Sequence, residues 1–428
     1  MMVGLTVLLV TSAPASAATY YVDNSGSPAC SNSLSAGSED RPLCTINFGV
    51  GILRGGDELV VKRGTYNEAV YIDGPAGTAA QPTVIRTYPG HVVTIRGAGN
   101  TGRVKITSTS YLTFDGFVVT NFNQGIFVEG GAHHITIQNC VVHDVGQDGI
   151  HVRQNSSYVI IQGCTIYNTE RIGGCCNGEG IYVGAGSAGP LDNSHHVTVR
   201  NNTIHHVTHE GIEFKPGTHH NIAENNEIYA AGLAWSGKCG VAFGMGIEVN
   251  ERDLGMQTWT GNPDHIIRNN QVHDMDCSAI RLGTGSTAYN NVVWNINVAG
   301  QDGIRITNPN GDSFPRLVYH NTVAMRASDA ITESGSPRTD IRNNIGPAAG
   351  ANLPFDSSSF VNAATGDFHL AAGAAAIDAG RDLGDLVTTD KDGKDRPVGV
   401  LPDMGAFEFS MGAVPAAPRD VRIVVTSQ

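Results

Sequence analysis

Between residues 124 and 334 the chain writes one short phrase eight times, a small residue followed by Ile and then an alternating strand: "QGIFVE", "DGIHVR", "EGIYVG", "EGIEFK", "MGIEVN", "SAIRLG", "DGIRIT" and "DAITES". After each of the first seven comes a turn and a second short strand ending in a polar pair, as in "ITIQNC", "VTVRNN" and "LVYHNT". The spacing floats between about 21 and 44 residues while the internal order never changes. That combination marks stacked coils, each of which buries its apolar side against the next.

The polar pair follows the same logic. Phe117, Cys140, Cys164, Asn202, Asn226, Asn270, Asn291, Asn321 and Asn344 fall at equivalent places in successive coils. Stacked Asn side chains hydrogen-bond along the stack and tolerate a left-handed corner, whereas a lone buried Asn is costly. The column is therefore read as structural. Cys140 and Cys164 share it, at a coil spacing of about 4.8 Å that admits a disulfide or two buried thiols. Short strands in parallel register predict an all-β chain, a single-stranded right-handed parallel β-helix. "TINFGVGILRGG" at 45–56 is expected to form an amphipathic N-terminal cap over the first coil.

A chain of 428 residues would otherwise suggest roughly two or three domains, a prior that fails for repeat arrays. The expected organisation is a signal peptide over 1–17, the capped β-helix over 18–346, a closing segment over 347–410 and a linker and tail over 411–428. The leader rests on a short apolar run ending in Ala15-Ser16-Ala17, and no other segment is long and apolar enough to span a bilayer. A secreted monomer is expected. Eight cysteines suit an oxidising compartment, and Cys30 and Cys44, which flank a polar loop, are an expected pair. A net charge of -13 without a basic run argues against nucleic acid or an anionic membrane as partner.

Within the repeated phrase Ile points inward, so the next residue and the one two further on point outward. The first outward column reads Phe127, His151, Tyr182, Glu213, Glu248, Arg281, Arg305 and Thr332. The second reads Glu129, Arg153, Gly184, Lys215, Asn250, Gly283, Thr307 and Ser334. At the corner before each strand stand Gln124, Asp148, Glu179, Glu210, Met245, Ser278, Asp302 and Asp329. Charge thus concentrates over residues 148–305. Long insertions at 168–179, 184–194, 230–245 and 250–264 flank the same place, and loops of that length in a compact fold are usually functional. They are expected to wall a linear groove, suited to a linear polymer, with Glu213, Lys215 and Glu248 on its floor. Cys175, Cys176, Cys239 and Cys277 lie in or beside these walls and are expected to stiffen them as disulfides. His133-His134, His195-His196 and His219-His220 look like metal ligands one by one, but their repeated place before strands assigns them to turn chemistry.

Three stretches carry a family resemblance. "YYVDNSGSPACSN" with "GDELVVKRGTYNEAVYIDGPAGTAAQPTVIRTYPGHVVTIRG" resembles the N-terminal coils of secreted bacterial β-helix polysaccharide lyases of the pectate and alginate lyase type, over about 80 residues. "AAAIDAGRDLG" and "TTDKDGKDRPVGVLPDMGAFEF" are similar to the closing segment of exported β-helix proteins of the choice-of-anchor type. "EGIEFKPGTHHNIAENN" is similar to the calcium-and-lysine strand of alginate and chondroitin lyases. In that family an acidic ligand five positions before a lysine helps to hold Ca²⁺ and the lysine is the base, and Glu210 and Lys215 match the spacing. The family's arginine in the next coil would fall near Asn250, which is not basic.

The resemblance implies Ca²⁺-assisted β-elimination on a uronate-containing polysaccharide. Glu179, Glu210, Glu213 and Glu248 would supply oxygen ligands, Lys215 the base, and Arg281, with Arg305 behind it, charge for the substrate or the leaving oxygen. Bound cations or local basic charge would also answer an objection, since an acidic chain otherwise repels a polyuronate. The same columns offer a second reading. Glu213 with Glu248, or Glu179 with Glu210, would stand near the carboxyl separation of a glycoside hydrolase, with no metal. A third is a carbohydrate-binding surface protein without catalysis.

Overall fold

The computed structural model describes residues 17–170, 178–186, 191–232, 244–250, 261–296, 301–309, 311–347 and 350–410. Most of the expected leader, the expected tail, the centres of the long insertions, Cys175, Cys176 and Cys239 lie outside them.

Short strands wind a parallel solenoid with three faces. One face is a ladder of ten strands that begins at Tyr71–Asp73 and ends at Ile331–Ser334. Its last eight rungs are the eight repeated phrases, with Ile126, Ile150, Ile181, Ile212, Ile247, Ile280, Ile304 and Ile331 paired in register. Two further ladders, containing strands such as His133–Gln138 and Val141–His143, close the other sides. The chain is a right-handed parallel β-helix.

The small residue before each Ile has a steric cause. A Cβ added to Gly211 would lie 2.6 Å from the carbonyl oxygen of Gly246 in the next coil and 2.7 Å from Ile228 Cγ2 on another face. Backbone stacked on one side and a branched core residue on the other leave room for little more than hydrogen, and Ala279 and Ala330 are the largest residues that stand in this column. Inside, the inward Ile and Val residues of the ladder are buried, and only Ile331 in the last rung is partly open.

The Asn column forms a continuous buried ladder. Asn202 Nδ2 donates to Asn226 Oδ1 at 3.0 Å, Asn226 to Asn270 at 3.0 Å, Asn270 to Asn291 at 3.0 Å, Asn291 to Asn321 at 2.9 Å and Asn321 to Asn344 at 3.0 Å. The polar pair divides the work: the left-handed residue is the first of the two, at Asn201, Asn225, Asn269, Asn290 and Asn343, while the second makes the ladder. Cys140 and Cys164 continue the column as buried thiols rather than a disulfide.

The helix Ile46–Ile52, capped by Thr45, buries Ile46, Gly49 and Val50 over the first coils. Cys30 and Cys44 form the expected disulfide beside it. At the other end, residues 350–410 build a small core around Phe360, Phe368, Leu370 and Phe407 that packs on Val292 and Ile345. This segment lies against the side of the last coils as well as their end. Asn290 Nδ2 donates to Thr389 O at 2.8 Å, and His320 Nδ1 is 3.0 Å from Asp403 O. Among the described residues no helix is long and apolar enough to cross a membrane.

Candidate active site

The first outward column is continuous in the ladder register. Tyr182 stacks on Glu213, Glu213 on Glu248, Glu248 on Arg281 and Arg281 on Arg305. The corner column stacks too, since Gly180 N donates to Glu210 O and Gly211 N to Met245 O, both at 2.9 Å. Two periodicities thus bring Glu179, Glu210, Glu213, Lys215 and Glu248 onto three adjoining coils.

Outward does not mean solvated here. Glu210, Glu213, Glu248 and Glu179 are 1%, 2%, 3% and 5% exposed, and Lys215 only 9%. A surface location, the bland explanation for charges on a β-helix face, is excluded for these five residues. Arg281 is partly open, and Arg305, 3.8 Å from Asp302, is more so.

Each buried carboxylate meets one basic group. Glu210 Oε2 is 2.6 Å from His209 Nδ1, and Gly244 N donates to Oε1 at 3.0 Å. Lys215 Nζ stands 2.7 Å from Glu213 Oε1, which also accepts from Asn250 Nδ2 at 2.9 Å. Glu248 Oε1 accepts from Arg281 Nη1 at 2.6 Å. Lys215 Nζ also lies 5.2 Å over the ring of Tyr182. The matching is incomplete. Glu213 Oε2 is buried and makes no hydrogen bond among the described residues, and Arg281 Nε is buried likewise. Carboxylate oxygens of Glu210, Glu213 and Glu248 lie within 4.8 Å of one another.

Glu179 stands slightly apart, in a second trio with His209 and Glu210. Its Oε1 is 3.7 Å from His209 Nδ1, and Gly178 N donates to its Oε2 at 2.9 Å. Behind it Asp148 pairs with His151 at 3.0 Å, and His151 Nε2 lies 2.6 Å from the carbonyl oxygen of Gly184.

Crowding divides these acids by protonation. Burial, then the charges of Glu210 and Glu213, push the Glu248 carboxyl well up against the opposing pull of Arg281. Burial and the charge and hydrogen bond of Asp148 push Glu179 well up as well. Glu213 is raised because burial and the Glu210 charge outweigh Lys215 and Asn250. Glu210 goes the other way. Burial would raise it, but the hydrogen bond and charge of His209 hold it at about 2. His209 is raised in turn, its own burial being outweighed by Glu210. The site therefore contains carboxyl groups pushed in opposite directions within one cluster, the usual basis for separate acid and base roles.

Sequence reasoning placed Glu179, Glu210, Glu213, Lys215, Glu248 and Arg281 in one region. It did not single out His209, although that residue directly precedes Glu210, and it gave Asp148 an ordinary corner role. Asn250 sits where the family's arginine was expected and donates a hydrogen bond to Glu213 instead.

A parallel solenoid with a charged column along one ladder defines a class, and the sequence places the chain in it. The chain belongs to the family described as right handed beta helix region, which matches residues 91–252 and 191–348. No curated protein matches the chain in sequence. Among solved structures it is similar to pectate lyase Pel9A at 16% identity, covering 92% of this chain and 96% of that one with a TM-score of 0.64. It is also similar to the alginate lyase from Paenibacillus sp. str. FPU-7, at 20% identity over 73% of this chain and 98% of that one, TM-score 0.54. A third is the GH136 lacto-N-biosidase from Eubacterium ramulus, at 16% identity over 78% of this chain and 67% of that one, TM-score 0.55. At these identities the likeness establishes the fold.

Proposed function

We propose that the protein is a secreted carbohydrate-active enzyme, a polysaccharide lyase that cleaves a uronate-containing polymer by β-elimination. One observation carries the reading: a buried, unbonded oxygen of Glu213 beside the oxygens of Glu210 and Glu248, with the ammonium of Lys215 2.7 Å from the other Glu213 oxygen. Alginate and pectate lyases among the fold relatives, and the cysteine pairing at Cys30–Cys44, which suits an oxidising compartment, support it.

The donor set fits Ca²⁺. It consists of hard carboxylate oxygens, and an orphaned buried carboxylate oxygen is costly unless something positive or protic meets it. Glu210, Glu213 and Glu248 would hold the ion, with Glu179 behind Glu210. When bound, Ca²⁺ supplies positive charge against the uronate carboxylate, which favours loss of the adjacent proton and a neutral Lys215. Lys215 then receives the proton alpha to the carboxylate. A double bond forms between the alpha and beta carbons as the bond from the beta carbon to the glycosidic oxygen breaks, and the leaving oxygen takes a proton from water. Glu213 holds Lys215 in place, and Asn250 holds Glu213. Arg281, whose Nε is buried without a hydrogen bond among the described residues, faces the leaving oxygen or a substrate carboxylate.

A second reading has its own observation. Glu213 and Glu248 are register neighbours, and both carboxyls are pushed upward. Directly stacked side chains stand about 5 Å apart, the spacing of a retaining glycoside hydrolase, in which a protonated Glu248 would be the acid and Glu213 the nucleophile.

The test is a panel of alginate, pectate, glucuronan and chondroitin or dermatan, followed by the ultraviolet absorbance of unsaturated products with Ca²⁺ and with chelator. Elimination predicts a Ca²⁺-dependent rise that disappears in Lys215→Ala. No rise on any polymer, with reducing ends released from neutral glycans instead, sinks the lyase and leaves the paired glutamates.

A further inference from the structure

The His-His steps before strands place their second residue in the left-handed region, with His134, His196 and His220 at φ of 54°, 53° and 54°. That is the turn role their spacing suggests. Over residues 195–220, however, two such steps fall on successive coils. His195 and His219 are bridge partners, and the rings stack in two files, His195 on His219 at 4.7 Å between centroids and His196 on His220 at 4.9 Å. His133-His134 has no such neighbour, because Ser110-Tyr111 and Ser157-Tyr158 flank it. The outcome is a two-by-two array of imidazoles at the corner leading out of the ladder of ten strands.

Within the array a ring nitrogen from each of His195, His196 and His219 lies within 4.8 Å of the other two. The Nδ1 atoms face one another, His195 to His196 at 2.7 Å and His219 to His220 at 2.7 Å. A second contact fixes the orientation of one ring. Asn193 Oδ1 stands 3.2 Å from His219 Nε2. A carboxamide oxygen only accepts, so Nε2 carries the proton, and the Nδ1 lone pair, which accepts from His220 Nδ1 in the array as it stands, is the one a metal would take up. Metal-binding histidines are oriented in this way, with the second ring nitrogen donating to an oxygen outside the metal's own ligands.

We propose that His195, His196 and His219 form a site for a divalent transition metal of the Zn²⁺ class, distinct from the carboxylate cluster. Neutral imidazole suits Zn²⁺, Cu²⁺ and Ni²⁺, whereas Ca²⁺ prefers oxygen. Three histidines leave a fourth position for water or an external ligand. Because the ligands come from two coils, the ion would staple the coil of His195 to that of His219 and raise stability.

The experiment is calorimetric titration of the full chain with Zn²⁺ in saturating Ca²⁺, with a melting curve at each end point. The site predicts uptake of a single equivalent and a higher melting temperature. Both should be lost in the His195→Ala/His219→Ala double variant, kept in His133→Ala, and weakened about 10-fold in Asn193→Ala. Glu179, His209 and Glu210 form another ligand trio. Uptake that survives the double variant but disappears in Glu210→Gln therefore overturns the proposal, and so does no uptake by the folded wild type. Cu²⁺ bound to the unaltered chain gives a reading independent of any variant's folding. Its electron paramagnetic resonance should show coupling to several imidazole nitrogens, and coupling to a single nitrogen or none contradicts the site.

Discussion

Asn270 and Glu213 are both shut away from water, at 0% and 2% exposure, and their surroundings differ in kind. Asn270 donates to Ala223 O and Asn291 Oδ1 and accepts from the backbone and side chain of Asn226, so its amide is saturated by copies of itself. Glu213 has Lys215 and Asn250 on one oxygen and no hydrogen bond on the other among the described residues. The Asn corner repeats one residue type along six coils; the carboxylate corner mixes Glu, His, Lys and Arg over four. Burial of a polar group thus has two meanings in this solenoid. Where the group is fully bonded by its stack it holds the coils together, and where it is left partly bonded it is held ready for something not part of the chain.

Either corner can be altered by a single substitution. Lys215→Ala should have the largest effect, lowering elimination per folded molecule by about 10²–10⁴-fold, the worth of a positioned general base. Initial rates on the best polymer of the panel check it. Asn270→Ala should do the reverse. It strands the groups of Asn226 and Asn291 that it served, and denaturant unfolding should show a loss of about 2–5 kcal/mol, with activity per folded molecule retained. Gly184→Ala sharpens the contrast. Gly184 has φ +109°, and a Cβ there would lie 2.7 Å from Lys215 Cβ. Displacing that lysine should reduce kcat about 10-fold or more, since sub-ångström misplacement is costly in rate.

The smallest effect is on stability against pH. Glu179 and Glu248 keep in the folded chain protons that an unfolded chain releases near 4.5. Their contribution is fully present below 4.5 and is lost as pH rises toward their raised folded values. His209, raised above 6.5, acts in the same direction at higher pH. Glu210 is opposite: held at about 2, it adds stability above 4.5 that is lost as pH falls toward 2. In chelator the melting temperature should therefore fall by a few degrees from mildly acid to mildly alkaline pH. Glu248→Gln should flatten that fall, and Ca²⁺ should do so in the wild type. An unchanged slope in both cases would show that the cluster is fully compensated as it stands.

The fold was legible because its rules act at every coil. A residue too large before Ile meets the next coil's carbonyl, so Gly or Ala recurs, and the polar pair marks each corner. The Asn ladder still runs one step past its visible end. Asn344 Nδ2 donates to Asn352 Oδ1 at 2.9 Å, and Asn352 follows after only eight residues and carries no repeated phrase. The site was legible as columns, since alternation alone puts Glu213 over Glu248. Its depth was not, because alternation separates inside from outside and says nothing of what covers the outside. His209 was missed for a related reason. It lies at the corner, outside the strand on which the alternation was read, and only folding brings its Nδ1 to Glu210.

Elimination and hydrolysis at the carboxylate corner differ in the fate of water, and digestion in H₂¹⁸O followed by mass spectrometry of the products separates them. Elimination cleaves without adding water, so it predicts unsaturated oligosaccharides free of ¹⁸O at the newly made ends, formed with Ca²⁺ and absent with Lys215→Ala. Saturated products with ¹⁸O at the new reducing end, formed equally well in chelator, would contradict it and give the same corner to hydrolysis.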